Sequence, residues 1–137
     1  MSERSLEVAQ HEAAHVVVGV ALGLRLRKAV VGRTEDTDGE LLDGYAWFTN
    51  HGAKLEYAVM YAAGVAWDQL TLSDYSSSDA KLAVGLVGSR NLASCVKIAR
   101  LLLASRVDIH TRITKALLEK DLNSRDIAAI ARGKRVE

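Results

Sequence analysis

The sequence predicts a mainly α-helical fold with a small two- or three-stranded β element, and three observations carry that expectation. Long stretches repeat apolar residues at helical spacing: about Ser5 to Gly23, Lys54 to Leu72, Ser78 to Leu103, and Val107 to Lys120. Only two short segments have the β-branched and aromatic enrichment of strands. Proline is absent, so turns must come from Gly, Asn, Asp and Ser. At 137 residues, the chain 1–137 is expected to form a single domain around one core.

In the first segment Leu6, Val8, Ala9, Ala13, Val16, Val17, Val20 and Ala21 cover most of a helix circumference. Such a helix is expected to be buried on more than one side, with Gly23 at its end. Arg27 to Arg33, with Val30 and Val31, and Gly44 to Thr49, with Tyr45, Trp47 and Phe48, read as strands. Thr34 to Asp43 reads as a solvated loop between them. Two strands are not stable alone, so they must pack on helices. The Lys54 to Leu72 helix runs through Tyr57, Ala58, Tyr61, Ala62, Val65 and Leu70, and Ser73 to Ser78 is a polar break. The next helix is weakened by Gly85 and Gly88, and continues or restarts through Leu103. Val107 to Lys120 is amphipathic through Ile109, Ile113, Ala116 and Leu117. Asn123 and Asp126 form a capping-box-like pair before Ile127, Ala128 and Ile130.

A net charge of +1 offers no basic field for a phosphate backbone, so nucleic acid is not an expected partner. Cys95 is the only cysteine; it excludes an intrachain disulfide, suits a reducing compartment and reads as buried packing. The start, Met1 to Glu7, lacks the basic-then-apolar order of a signal peptide. No apolar run approaches the ~20 residues that span a bilayer, because His11, Glu12 and His15 interrupt the best candidate. A cytoplasmic protein without membrane contact is expected.

Those interrupting residues spell His11-Glu12-Ala13-Ala14-His15. Two histidines four apart project from one side of a helix, close enough to share a metal ion. Glu12 lies about 100° around the axis, where it reaches a water on the metal rather than the metal itself. Zinc acidifies such a water, and a carboxylate can take its proton during attack on a carbonyl. The helix is too apolar for a surface position, so its polar cluster sits in or beside a core and needs partners. A catalytic zinc takes three protein ligands, and the helix supplies two. Glu35, Asp36, Asp38, Glu40, Asp43, His51, Asp68, Asp74 and Asp79 are the candidates for the third. His110 reads as surface or core-edge.

Here the residues resemble a family, the peptidase domain of FtsH-type ATP-dependent zinc proteases. His11 to His15 is similar to its His-Glu-Ala-Gly-His, with Ala14 where Gly is usual. Arg27 to Val31 followed by Gly44-Tyr45 is similar to its strand pair. Tyr61-Ala62-Ala63-Gly64-Val65-Ala66-Trp67-Asp68-Gln69-Leu70 resembles its Gly-Gly-Arg-x-Ala-Glu-Glu-Leu segment, and Ser76 to Ala83 its Gly-Ala-Ser-Asn-Asp-Leu-x-x-Ala. Ala116 to Lys120 through Ile127 is similar to the closing pattern. The blocks are collinear over most of the chain. The resemblance implies that Asp79 is the third zinc ligand and that Asp68, where the family has Glu, orients a histidine. Ser78 stands where Asn is usual. The chain is shorter than the family's domain between the Asp79 and Val107 helices, and it contains no Gly-x-x-x-x-Gly-Lys-Ser/Thr, so no ATP-driven module is expected.

The expected activity is that of a zinc endopeptidase working without ATP on flexible or unfolded polypeptide. It would hold one Zn2+ per chain, use Glu12 as general base, and take substrate as an added strand along Gly44, Tyr45, Ala46 and Trp47. A dedicated regulator-cleaving protease and a non-catalytic interaction module on the same fold are the alternatives, and a homo-oligomer is left open.

Overall fold

A computed structural model describes residues 5–35, 41–49, 52–71 and 77–133. The fold is mainly helical with one small antiparallel sheet. In chain order the elements are α1 (Leu6–Ala21), β1 (Leu26–Glu35), β2 (Leu41–Phe48), α2 (Lys54–Thr71), α3 (Ser77–Val87), α4 (Leu92–Ala104), α5 (Val107–Glu119) and α6 (Ser124–Ala131), with a 3-10 turn at Ser89–Asn91.

Helix α1 is the centre of the molecule, touching α2, α4, α5 and both strands. Its sequence explains this: Ala9, Ala13, Ala14 and Val16 to Val18 are small enough for neighbours to close on every side, and all are buried. The Ser5 side chain caps its start by accepting from the Val8 N–H, and Gly23 turns the chain out at its end with φ +84°. The sheet packs on α1, as a two-stranded ribbon must. Ala29 of β1 also exchanges backbone hydrogen bonds with Leu122, which fastens the α5–α6 connection to the other edge of β1. The core continues through Ala58 to Ala66 on α2, Cys95, Val96 and Leu103 on α4, and Ile113 and Leu117 on α5.

The bounds expected for the loop and for the strands are corrected. The segment 34–43 is not all loop: the ladder extends to Thr34↔Leu42 and Glu35↔Leu41, beyond an irregularity after Val31, while 36–40 lies outside the described residues. Backbone pairing needs no apolar side chains, so the polar composition there hid it. The strands are also paired from Leu26↔Phe48 onward, and Thr49 only flanks β2. The helix from Ser78 towards Leu103 restarts rather than continues, since Gly88 at φ +85° separates α3 from the 3-10 turn that leads into α4. At the other end the capping box forms as the sequence suggests, with Asn123 Oδ1 accepting from the Asp126 N–H and Asp126 Oδ2 accepting from the Asn123 N–H. Among the described residues no single helix is long and apolar enough to cross a membrane.

Candidate metal centre

The apolar wrapping of α1 takes His11, Glu12 and His15 into the interior with it, at 6%, 5% and 4% exposure. Polar groups that deep need partners. His11 Nδ1 donates to Asp68 Oδ1 at 2.9 Å, and His15 Nδ1 donates to the Met60 carbonyl at 2.8 Å, both from α2. Carboxylate and carbonyl only accept, so each Nδ1 holds a proton, and each Nε2 presents its lone pair when the ring is neutral.

The two Nε2 atoms lie 3.3 Å apart, and Asp79 Oδ2, from the first turn of α3, lies 2.9 Å from one and 3.1 Å from the other. Three lone-pair atoms therefore face one another. Such a triangle repels itself unless a proton or a metal cation lies among them. Its edges approach the roughly 3.3 Å that separates ligands of a tetrahedral ion bonded at about 2.0–2.1 Å. The titration of the groups has the same cause. Burial opposes charge on both rings, yet the Asp79 carboxylate overrides it, raising His11 and pushing His15 up to about 9. Burial also pulls Asp79 upward, but the two rings hold it well below the usual carboxylate range. Glu12 moves the other way: burial raises it, and the rings offset that only in part. A Glu12 carboxylate oxygen lies within 4.8 Å of a ring nitrogen of each histidine.

Space for this convergence comes from glycines. A Cβ on Gly64 of α2 would stand 2.3 Å from Asp79 Oδ2, 2.7 Å from His11 Cε1 and 2.8 Å from His15 Nε2, so only glycine leaves the three donors room to meet. On the strand side, a Cβ on Gly44 would fall 2.8 Å from Val8 Cγ1 and 3.2 Å from Glu12 Cγ. Gly44 thus lets β2 lie against the turn of α1 that carries Val8 and Glu12.

The structure brings His11, His15 and Asp79 together, sets Asp68 against His11, and leaves Glu12 beside them. Gly44 packs on α1, Tyr45 and Ala46 are half-buried, and Trp47 is exposed with the Arg27 guanidinium 4.7 Å above its ring. His110 takes no part in the cluster; its Nε2 donates to the Gln10 carbonyl, its ring stacks on Trp67, and burial lowers its pKa. Asp36, Asp38, Glu40, His51 and Asp74 lie outside the described residues, as do the side chains of Glu35 and Asp43. Sequence reasoning missed the Met60 carbonyl, which no side-chain pattern reveals, and the role of Gly64. It also missed Tyr61, whose half-buried phenol is raised by burial and then by the charge of Asp79. A glycine inside an otherwise apolar helix, between Ala63 and Val65, was the available signal.

No protein-family model matches the sequence, and no curated protein matches it. Chemically, two oriented imidazoles and one carboxylate suit a borderline divalent ion such as zinc, and a buried, easily protonated carboxyl beside them suits proton transfer.

Proposed function

We propose that this protein is a zinc-dependent endopeptidase, a shortened cytoplasmic counterpart of the FtsH-type peptidase domain, that hydrolyses flexible or unfolded polypeptide without ATP. The convergence of three lone-pair donors over Gly64, next to buried Glu12, carries this reading.

His11 Nε2, His15 Nε2 and Asp79 Oδ2 would hold one zinc ion per chain. Bound there, zinc would supply Lewis acidity toward a water and toward the scissile carbonyl. Glu12 takes the proton of the attacking water on its carboxylate and delivers it to the leaving amide nitrogen, and burial makes that carboxylate the stronger base. Asp68 and the Met60 carbonyl keep both rings turned with Nε2 inward. Strand β2 aligns an extended substrate through its backbone. An extended segment is rarely offered by a compact domain, because releasing one requires local unfolding that can approach the global ~5–15 kcal/mol.

Zinc-loaded protein incubated with a disordered casein-like substrate and with a stable folded protein tests this. The disordered chain should be cut, the folded one spared, ATP should have no effect, and Glu12→Gln should slow cutting by on the order of 10²–10⁴. Failure of zinc-loaded protein to cut either substrate would overturn the reading. Stimulation by ATP in a pure preparation would overturn its ATP-independent part.

A further inference from the structure

Beside the metal centre a cleft of about 680 Å³ lies between β2, the first half of α2 and the middle of α3. That size is within the ~300–1,000 Å³ of ligand-binding pockets. Phe48, Met60 and Leu86 give it an apolar lining, and Trp47 and Leu82, 46% and 50% exposed, extend the apolar surface. The cleft adjoins the metal centre through Met60, whose carbonyl accepts from His15.

Two features bear on the chemistry of its occupant. Ala46, Trp47 and Phe48 are consecutive strand residues, and consecutive side chains point to opposite faces, yet all three line the cleft. The cleft therefore runs along an edge of β2, the edge away from β1, which has no strand partner among the described residues. Such an edge receives an extended chain. Charge is the second feature. Lys54 opens α2 and Lys81 stands on α3, both exposed and both lining the cleft, and among the described residues no carboxylate lines it. Neither lysine forms an ion pair among the described residues.

We propose that this cleft is a specificity subsite that takes a bulky apolar side chain of an extended peptide and selects acidic residues flanking it through Lys54 and Lys81. The proposal rests on the peptidase reading and names its substrate class: acidic segments bearing a large apolar residue. Removing the apolar side chain should weaken binding about tenfold or more, since a buried Phe or Leu side chain contributes that much or more. The lysine contribution should be severalfold and should fade at high salt, as exposed charge pairs do.

The test reads binding rather than turnover. Fluorescently labelled ten-residue peptides with Phe between acidic residues, Ala between acidic residues, or Phe between lysines are titrated into zinc-loaded Glu12→Gln protein. The Phe-acidic peptide should bind about tenfold more tightly than the Ala peptide. It should also bind severalfold more tightly than the lysine-flanked one at low salt. Lys54→Glu with Lys81→Glu, both at exposed positions, should reverse the flank preference with zinc content unchanged. Equal affinity for the three peptides, an unchanged preference in the double variant, or no binding of any peptide would overturn the proposal. Discriminating binding without hydrolysis by the wild type would leave the subsite standing and remove the peptidase reading. Hydrolysis without discrimination would remove the subsite alone.

Discussion

Replacing Gly64 with alanine separates the metal centre from the fold that carries it. The new methyl would stand 2.3 Å from Asp79 Oδ2, whereas packed heavy atoms rest about 3.5 Å apart, so the carboxylate must withdraw by about 1 Å. A metal ligand set tolerates about 0.2 Å. The methyl also meets His11 Cε1 at 2.7 Å and His15 Nε2 at 2.8 Å, so both imidazoles are crowded as well. Zinc affinity should fall about 100-fold or more, at or beyond the upper end of what disturbing a ligand's support costs. The helix itself should gain, because alanine is about 1 kcal/mol better than glycine in a helix interior, against an overpacking cost of about 1–3 kcal/mol. Stability of the chelator-treated protein should therefore change by no more than about 2 kcal/mol. Competition with a chromophoric chelator gives the affinity, and urea unfolding of the chelator-treated protein gives the stability. Zinc affinity within threefold of the parent would refute the convergence of donors over Gly64.

Other perturbations test single parts. Glu12→Gln should keep zinc within a few fold while lowering peptide hydrolysis by on the order of 10²–10⁴, since it removes only the proton acceptor; loss of zinc would make Glu12 a ligand. Asp79→Ala should weaken zinc more than Asp68→Asn, whose loss of ring support should cost about 10–100-fold; the reverse order in the chelator assay would contradict the roles assigned. The pH dependence follows from His15, raised from 6.5 to about 9. A raised histidine contributes stability fully below its unfolded value and loses it as pH passes its folded value, so the metal-free protein should lose stability between pH 6.5 and 9. Zinc-saturated protein should not show this fall, and urea titrations at pH 6, 7.5 and 9 with and without chelator would read the difference.

The sequence made some of this legible and hid the rest for physical reasons. His11 and His15 needed only the helical period, because their convergence is local. The partners of the cluster come from α2 and α3, dozens of residues away, and nothing in composition or spacing separated Asp79 from Asp68 or Asp74; family resemblance alone singled it out. Gly64 read as a weak point in a helix, since a close approach between helices leaves no local trace. The strands were legible where Val30, Val31, Tyr45 and Phe48 sit, and lost where the ladder runs on through polar residues. The break at Gly88 was visible as a weakness, but its left-handed backbone was not.

The central claim is that His11, His15 and Asp79 hold one zinc ion. The most direct measurement is zinc-edge X-ray absorption, with elemental analysis, on protein purified without chelators. The account predicts about one zinc per chain in a shell of nitrogen and oxygen at about 2.0–2.2 Å, with two imidazoles, one of them lost in His15→Ala. Protein that stays metal-free after zinc addition, or zinc bound in a shell that His15→Ala leaves unchanged, would contradict it.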